Sequence, residues 1–564
     1  MAATVGVGIV TAPVVDRVDT IDFDKVFGEI ADNLRADEER RLRAPLVRLW
    51  DGDWNLRGRC TQENAASFQL VDNETGIGTL ELPEGYYLSD WLVDVDARGT
   101  TNVFITVDKD GLRWSGMMDE FELVHDEIGR SFVKVIFKHD YEHLKHILAW
   151  SNPWLPAEVQ FPKIWLAFGS AKFVCKTTLL ANIMRLESSA WMLPDNPLDA
   201  SKWFNFDQST WSMVVKPTLP GDVDRTLPAL CHSRFKTVHE ATRKIVTDGQ
   251  LSWVCRRYLH GDPPPWPGAN LRHGCLVWDL VDKSGFNSGT AFRGDIFGGL
   301  IPELVNIGGD GLTQNVEQIP DPNVPEAYFE PNNRGTHPAM PGVVFYESEK
   351  TGTFRTSFKH KPATDVQSVA GGSSAPGVNE LIKATVTMIG DLTAMIPGVP
   401  PLGGVADALL APLYTDVFFA FGAWKSPQRA QRLGWSHYHE RFATGADKAY
   451  TLAYVIAQRS AMYESREQTR CTLTVTDGSP WRIGEQGYGD FSIGDRVGFT
   501  IRGPKSLYGR IFVEQVSELV LAWDRKSTPA WQIKIGSREP EDPILRAFQD
   551  LQDFFGILQD LGVF

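Results

Sequence analysis

Between Pro45 and Lys138, three pairs of short apolar runs are each joined by turn residues, and that pattern leaves few folds open. "LVRLWDGDWNL" places Asp51-Gly52 between two runs, "AASFQLVDNETGIGTLELP" turns over Asn73–Gly78, and "NVFITVDKDGLRWSGMMDEFELV" turns at Asp110-Gly111. Asp-Gly between alternating runs is a hairpin signal, because these two residues accept the left-handed backbone of the tight turn. "SFVKVIFKHD" adds a last strand. Hairpins spaced this closely imply a small antiparallel barrel or sandwich.

After His139 the periodicity changes. "DYEHLKHILAW" puts Leu144, Ile147 and Leu148 at helical spacing, and "SNPWLPAEVQFP" stops it. "KTTLLANIMRLESSAWML" predicts a second helix, and "RFKTVHEATRKIVTDGQLSWVCRRYL" a third that Gly249 ends before a strand. "RAQRLGWSHYHERFATGADKAYTL" continues as helix, and strands return from Thr472. The chain of 564 residues, at ~150 per domain, holds about three to five domains. The expected class is α+β and multidomain, with these boundaries: a lead with a charged helix (1–43), a β-rich domain (44–138) and an inserted helical or mixed domain (139–230). A helix-plus-strands domain (231–376), an apolar helical hairpin with helices (377–465), a β domain (466–537) and an amphipathic helix (538–564) follow.

The net charge of −15 makes a nucleic-acid clamp a poor expectation, since affinity for phosphate comes from Lys and Arg. An acidic inner wall would instead let a polyanion slide past. Six scattered cysteines with no CxxC fit reduced thiols in a chain made in a cytoplasm. The N-terminus lacks a basic segment before its apolar part, so a signal peptide is not expected.

Five stretches imitate chemistry. His139, Asp140, Tyr141, Glu142 and His143 spell H-x-x-E-H, the inverted zinc-protease pattern, with His146 on the same face if the segment is helical and Glu142 as candidate base. A third ligand and an open coordination position are lacking, and a helix start with Leu144, Ile147 and Leu148 inward is the plainer account. "GSAKFVCKTT" (Gly169–Thr178) imitates a phosphate loop, but its lysine comes one residue late and Cys175 replaces the second glycine. "SHYHERF" offers His437, His439 and Glu440, but on a helix His437 and His439 point about 200° apart and cannot share a metal. "GGSSAPG" and "GFNSG" miss the nucleophile-elbow pattern. No catalytic site, metal or cofactor is therefore expected.

Two apolar segments remain. Gly377–Trp424 is the most apolar part of the chain, but its longest uncharged stretch, Leu392–Ala406, is shorter than the ~20 residues a spanning helix needs. "PGVPPLGG" splits it into a hairpin whose inward side would be Ile389, Leu392, Ile396, Leu409 and Leu413; transient membrane activity is the competing role. In the C-terminal helix Ile544, Phe548, Leu551, Phe555 and Leu558 repeat as a heptad seam for docking or oligomerisation, after Asp542-Pro543 starts it.

Several long stretches carry a family likeness: "LVRLWDGDWNLRG", "HDYEHLKHILAWSNPWLPAEVQFP", "CRRYLHGDPPPWPGANLRHGCLVWDLVDKSG", "GGVADALLAPLYTDVFFAF" and "LGWSHYHERFATGADKAYTL". Through them the chain resembles the large minor tail proteins of siphophages infecting actinobacteria, the family with a Gp37-like tail domain, over nearly its whole length. The resemblance implies virion structure with no catalytic residues to transfer. It also implies a hub at the tail tip, whose β-barrel or sandwich domains are related to tail-tube subunits. The implied state is a homotrimeric ring contacting distal tail, tape-measure, and fibre or receptor-binding proteins. It would be assembled in the host cytoplasm and would line the DNA exit path without binding nucleic acid specifically. An envelope-degrading metallohydrolase and a direct host-receptor binder are the alternatives.

Overall fold

The computed structural model describes residues 22–125, 129–219, 222, 224, 226, 228–249, 251–283, 305–307, 314–320, 343–345, 353–371, 421–443, 457–458, 460–462, 464–476, 481–501, 503 and 510–536. Helix α1 (Phe23–Leu42) precedes the first β-rich stretch, short helix α2 (Tyr87–Val93) interrupts it, and seven strands fill it: β1 (Leu46–Asp51), β2 (Leu56–Arg59), β3 (Ala65–Val71), β4 (Ile77–Pro83), β5 (Val103–Lys109), β6 (Leu112–His125) and β7 (Ser131–His139). Their turns follow from the turn residues: Asp110 and Gly111 both take positive φ, 51° and 79°, as a two-residue hairpin requires. β3 alternates strictly between buried and half-buried positions, with Ala66, Phe68 and Leu70 inward.

The two stretches expected as separate β domains, 44–138 and 466–537, share one sheet. Strand Arg510–Asp524 runs antiparallel to β3, pairing Glu518 with Val71 through to Asp524 with Ala65. On its other side it meets Ala530–Ile535, which in turn pairs with Gln468–Thr476. Among the described residues the sheet has 15 strands, and Leu49, Leu80, Phe137, Val497, Phe512 and Leu519, far apart in the chain, fill one buried core. Burial of apolar surface from strands so far apart in sequence is what closes the chain on itself.

Between β7 and the rest of that sheet lies a second unit. Helix α3 (Ala171–Glu187) packs on the antiparallel pair of strands Trp165–Ser170 and Pro228–Ser233, and helix α4 (Val238–Asp248) packs beside it. Thr237 and Glu240 close a capping box on α4, and Gly249 is its C-cap. A three-stranded sheet completes the unit: Met213–Val215, Leu276–Asp282 and Leu251–Arg257. Leu144, Val174, Leu179, Cys231, Leu276 and Trp278 belong to a single core, so residues on both sides of the expected boundary at 230–231 pack together. Beyond residue 283, the described strands Gln314–Pro320 and Thr353–Lys361 join the large sheet instead.

A third, smaller sheet sets Asp365–Gly371 between Phe421–Lys425 and Tyr438–Ala443, beside a short helix at Pro427–Leu433. Two expectations are corrected here. The end of the apolar stretch, Phe421–Trp424, is strand, and so is "YHERFA". Both were expected as helix; Gly434 at φ 84° ends the preceding helix, and the aromatic side chains that follow suit an extended backbone. The charged lead forms helix α1 (Phe23–Leu42). The inward side of the apolar hairpin (Ile389, Leu392, Ile396, Leu409, Leu413) and the C-terminal seam (Ile544, Phe548, Leu551, Phe555, Leu558) lie outside the described residues.

Candidate functional site

The histidine-bearing stretch lies where the two larger units meet. It is a 3-10 turn, Asp140–Lys145, not an α-helix, so its side chains do not line up at α-helical spacing. Leu144 and Ile147 point into the core, whereas Leu148 begins a short strand and is exposed, contrary to the inward place expected for it. His139 is buried at the end of β7, and its Nδ1 accepts from the Tyr141 amide at 3.3 Å. Burial pushes its pKa down to about 4, helped by the nearby Arg257 and His143 and resisted by Asp140.

Asp140 is the centre of the arrangement. Arg257 donates to it from Nε at 2.9 Å and Nη2 at 2.8 Å, and the Ser115 hydroxyl donates as well. Burial alone would raise the Asp140 carboxyl, but Arg257 and His143 outweigh it and hold it well below the usual carboxylate range. Arg257 Nη2 also lies 3.1 Å from His143 Nε2, and its Nη1 donates to the Gly274 carbonyl at 3.0 Å. The guanidinium sits 4.8 Å from the Trp54 ring and 5.3 Å from Phe104. Gly274 fits under Trp54 because it has no Cβ: at φ 81°, a Cβ there would come within 2.2 Å of the indole.

Each residue of the zinc-like pattern has another partner or position. His139 is spent on the turn, His143 on Arg257, and His146 points to solvent. Glu142 is held by Thr75 and Lys145. Among the described residues no three His, Cys, Asp or Glu side chains are placed to hold a metal. The stretch is a clasp between the β unit and the inserted unit. It is reinforced by Arg113, which bonds Asp262 and the Arg257 carbonyl, and by Asn73, which bonds both Leu251 O and Trp253 N at 2.8 Å.

The other imitations dissolve for local reasons. "GSAKFVCKTT" is the end of a strand running into α3, with Cys175 in the core and Lys176 paired to Asp279 at 2.8 Å. His437 and His439 flank one residue of a strand, so their rings come together (5.2 Å between centroids) where a helix would have separated them. "GFNSG" and all but the first residue of "GGSSAPG" lie outside the described residues. Cys60, Cys175, Cys231, Cys255 and Cys275 are free and buried, and burial raises their thiols above the ordinary range.

Two surfaces were not foreseen from the sequence. On the inserted unit, Phe161, Phe168, Leu193, Leu198 and Phe204 are 58–96% exposed. On the small sheet Trp435 is 93% and Tyr438 72% exposed, with Phe421, Trp424 and Phe442 beside them in the same sheet or its connection. Leu166 and Phe168 face out while Ala167 packs inward, an alternation that "WLAFGS" does not show because its first four residues are all apolar. Among the described residues no helix is long and apolar enough to cross a membrane.

Comparison with known proteins gives the chain's family. Residues 46–537 match the family model described as Siphovirus ReqiPepy6 Gp37-like protein. The chain is 37% identical to the minor tail protein Gp28 of Mycobacterium phage L5 over 93% of its own length and 96% of that protein's. It is 36% identical to Gp28 of Mycobacterium phage D29 over the same shares. Among solved structures, a tail protein from Neisseria meningitidis MC58 aligns over 89% of this chain and 99% of its own, with 10% identity and a TM-score of 0.34. The E. coli c3393 protein, a component of the type VI secretion system, aligns over 88% and 80% with 6% identity and a TM-score of 0.31. The assignment rests on the sequence matches alone: the chain belongs to the Siphovirus ReqiPepy6 Gp37-like family and is a phage minor tail protein, a structural component of the virion tail.

Proposed function

We propose that this minor tail protein is a hub at the tail tip, joining the tail tube to distal and receptor-binding proteins and lining the path of DNA exit. The observation that carries this reading is the exposure of large apolar side chains in two places, on the inserted unit and on the small sheet. Large apolar side chains left this open on a non-membrane surface mark contacts with other proteins, and a connector needs at least two such faces. The clasp at Asp140 and Arg257 supports the same role, because it fixes the inserted unit against the large sheet and so keeps its aromatic surface in one orientation.

The hub is a homotrimer in which copies meet through exposed sheet edges and apolar seams, since closed rings satisfy unpaired edges. Ile544, Phe548, Leu551, Phe555 and Leu558 form a docking seam within that assembly. Its neighbours are distal tail, tape-measure, and fibre or receptor-binding proteins. With a net charge of −15, the inner wall is acidic or neutral and passes DNA without holding it. The apolar hairpin packs through Ile389, Leu392, Ile396, Leu409 and Leu413; its sparse charges Lys383, Asp391, Asp407 and Asp416 would each cost ~2.5–3.5 kcal/mol at a bilayer centre. Immunogold labelling of intact particles tests the placement. Gold confined to the distal end of the tail supports a tip hub, and gold distributed along the tube rejects it.

A further inference from the structure

The large sheet carries a cavity of about 980 Å³ whose charge runs against that of the whole chain. It lies among the C-terminal end of α1, strands β1 and β2, the β5–β6 turn and the 482–488 loop. Nine Arg and Lys side chains line it against three Asp, a local excess of six positive charges in a chain of net −15.

The three acids are already engaged. Asp108 is bonded by Arg48 and Arg113, Asp262 by Arg113, and Asp110 lies 3.3 Å from Lys109. What remains is donor capacity. Arg43 and Arg59 are exposed on the cavity's lining, and Arg41 and Arg48 each bury an Nε–H that has no acceptor among the described residues. A buried guanidinium N–H without an acceptor is costly, and a carboxylate is the acceptor whose planar geometry matches the guanidinium fork.

We propose that this cavity is a docking site for an acidic segment of a neighbouring tail polypeptide, whose Asp and Glu side chains pair with Arg41, Arg43, Arg48 and Arg59. Charge complementarity carries the choice of partner. The cavity's volume is on the scale of sites for small molecules and short peptides, ~300–1,000 Å³. A nucleic-acid duplex is instead bound over a broad surface of ~1,000–2,500 Å². Single strands need successive aromatic platforms, and among the aromatic residues lining this cavity only Tyr488 is exposed. The inference rests on membership of the tail, not on position at its tip, so the two fail separately.

Fluorescence anisotropy on the purified full-length chain tests it, with a labelled short peptide of alternating Glu and Gly as the probe. Saturable binding that weakens with added salt is expected. Arg43→Glu with Arg59→Glu should weaken it by about tenfold or more. Arg43→Lys with Arg59→Lys should retain most of it, which separates lost charge from lost folding. A matched reversal outside the cavity, Lys202→Glu with Lys425→Glu, should leave it unchanged. Equal losses in both reversal pairs would overturn the proposal. So would tighter binding of a single-stranded oligonucleotide of matched charge, or full competition by inorganic phosphate at the peptide's own concentration.

Discussion

Arg257 closes a two-nitrogen bond on Asp140 across 117 residues of chain, at 2.8 and 2.9 Å, and in doing so ties the inserted unit to the large sheet. Removing one partner of a buried ion pair strands the other charge, at a cost of about 3–5 kcal/mol. Asp140→Ala is therefore expected to destabilise the junction by that amount in urea denaturation. Adding Arg257→Met to it should recover part of the loss, because no buried charge then remains alone. A loss below about 1 kcal/mol in the single variant would place the pair among ornamental surface bridges.

His139 gives the fold a pH dependence with a definite sign. Its folded pKa of about 4 lies below the ordinary 6.5 because burial disfavours the charged ring. Below 6.5 the unfolded chain takes up the proton first, so stability present at neutral pH is lost as pH falls from about 6.5 to about 4. At 1.36 kcal/mol per unit, the loss is on the order of 3 kcal/mol. Asp140, held down by Arg257, acts in a separate window, losing its contribution only as pH falls below the ordinary carboxylate value. His139→Asn keeps a capping acceptor for the Tyr141 amide but cannot titrate. Its unfolding midpoint should change less than the parent's between pH 7 and pH 5; identical slopes would remove His139 from the account.

The seam between β3 and strand Arg510–Asp524 predicts shared cooperativity. Leu519 is fully buried opposite Leu70, and the Phe68 and Trp523 rings lie 5.7 Å apart across the same seam. Leu519→Ala should cost about 2–5 kcal/mol. Its effect on amide exchange should reach Leu46–Asp51 and Phe132–Phe137 as well as its own strand. Faster exchange restricted to residues after 466 would mean that the two ends of the chain open independently.

The C-terminal seam predicts an assembly defect. Deleting Pro543–Phe564 removes Ile544, Phe548, Leu551, Phe555 and Leu558 while leaving the last described strand, Ala530–Ile535, intact. Tails assembled with the shortened chain should contain markedly less of it on immunoblots of purified particles. Normal incorporation would assign the seam no docking role.

What was legible in the sequence was local. Asp110-Gly111 announced its hairpin because two residues with positive φ are needed there, and Gly249 announced the end of α4 before the strand that follows. The pairing of Val71 with Glu518 left no such mark, since a strand's partner is chosen by burial and register, not by neighbours in the chain. For the same reason, His139–His143 suggested a metal site: the residue that accounts for it, Arg257, lies over a hundred positions away. "SHYHERF" misled because His437 and His439 cannot show, without the strand that begins between them at Tyr438, whether they point apart or together.

The central claim, a ring-shaped hub at the tail tip, is tested most directly by an image reconstruction of intact tails without imposed symmetry. The account predicts density for this chain only at the distal end, in three copies around the tail axis. The inserted unit and the small sheet should each face a neighbouring molecule, and no continuous basic stripe should lie along the inner wall. Density for this chain at another level of the tail, or as single copies off the axis, would contradict it.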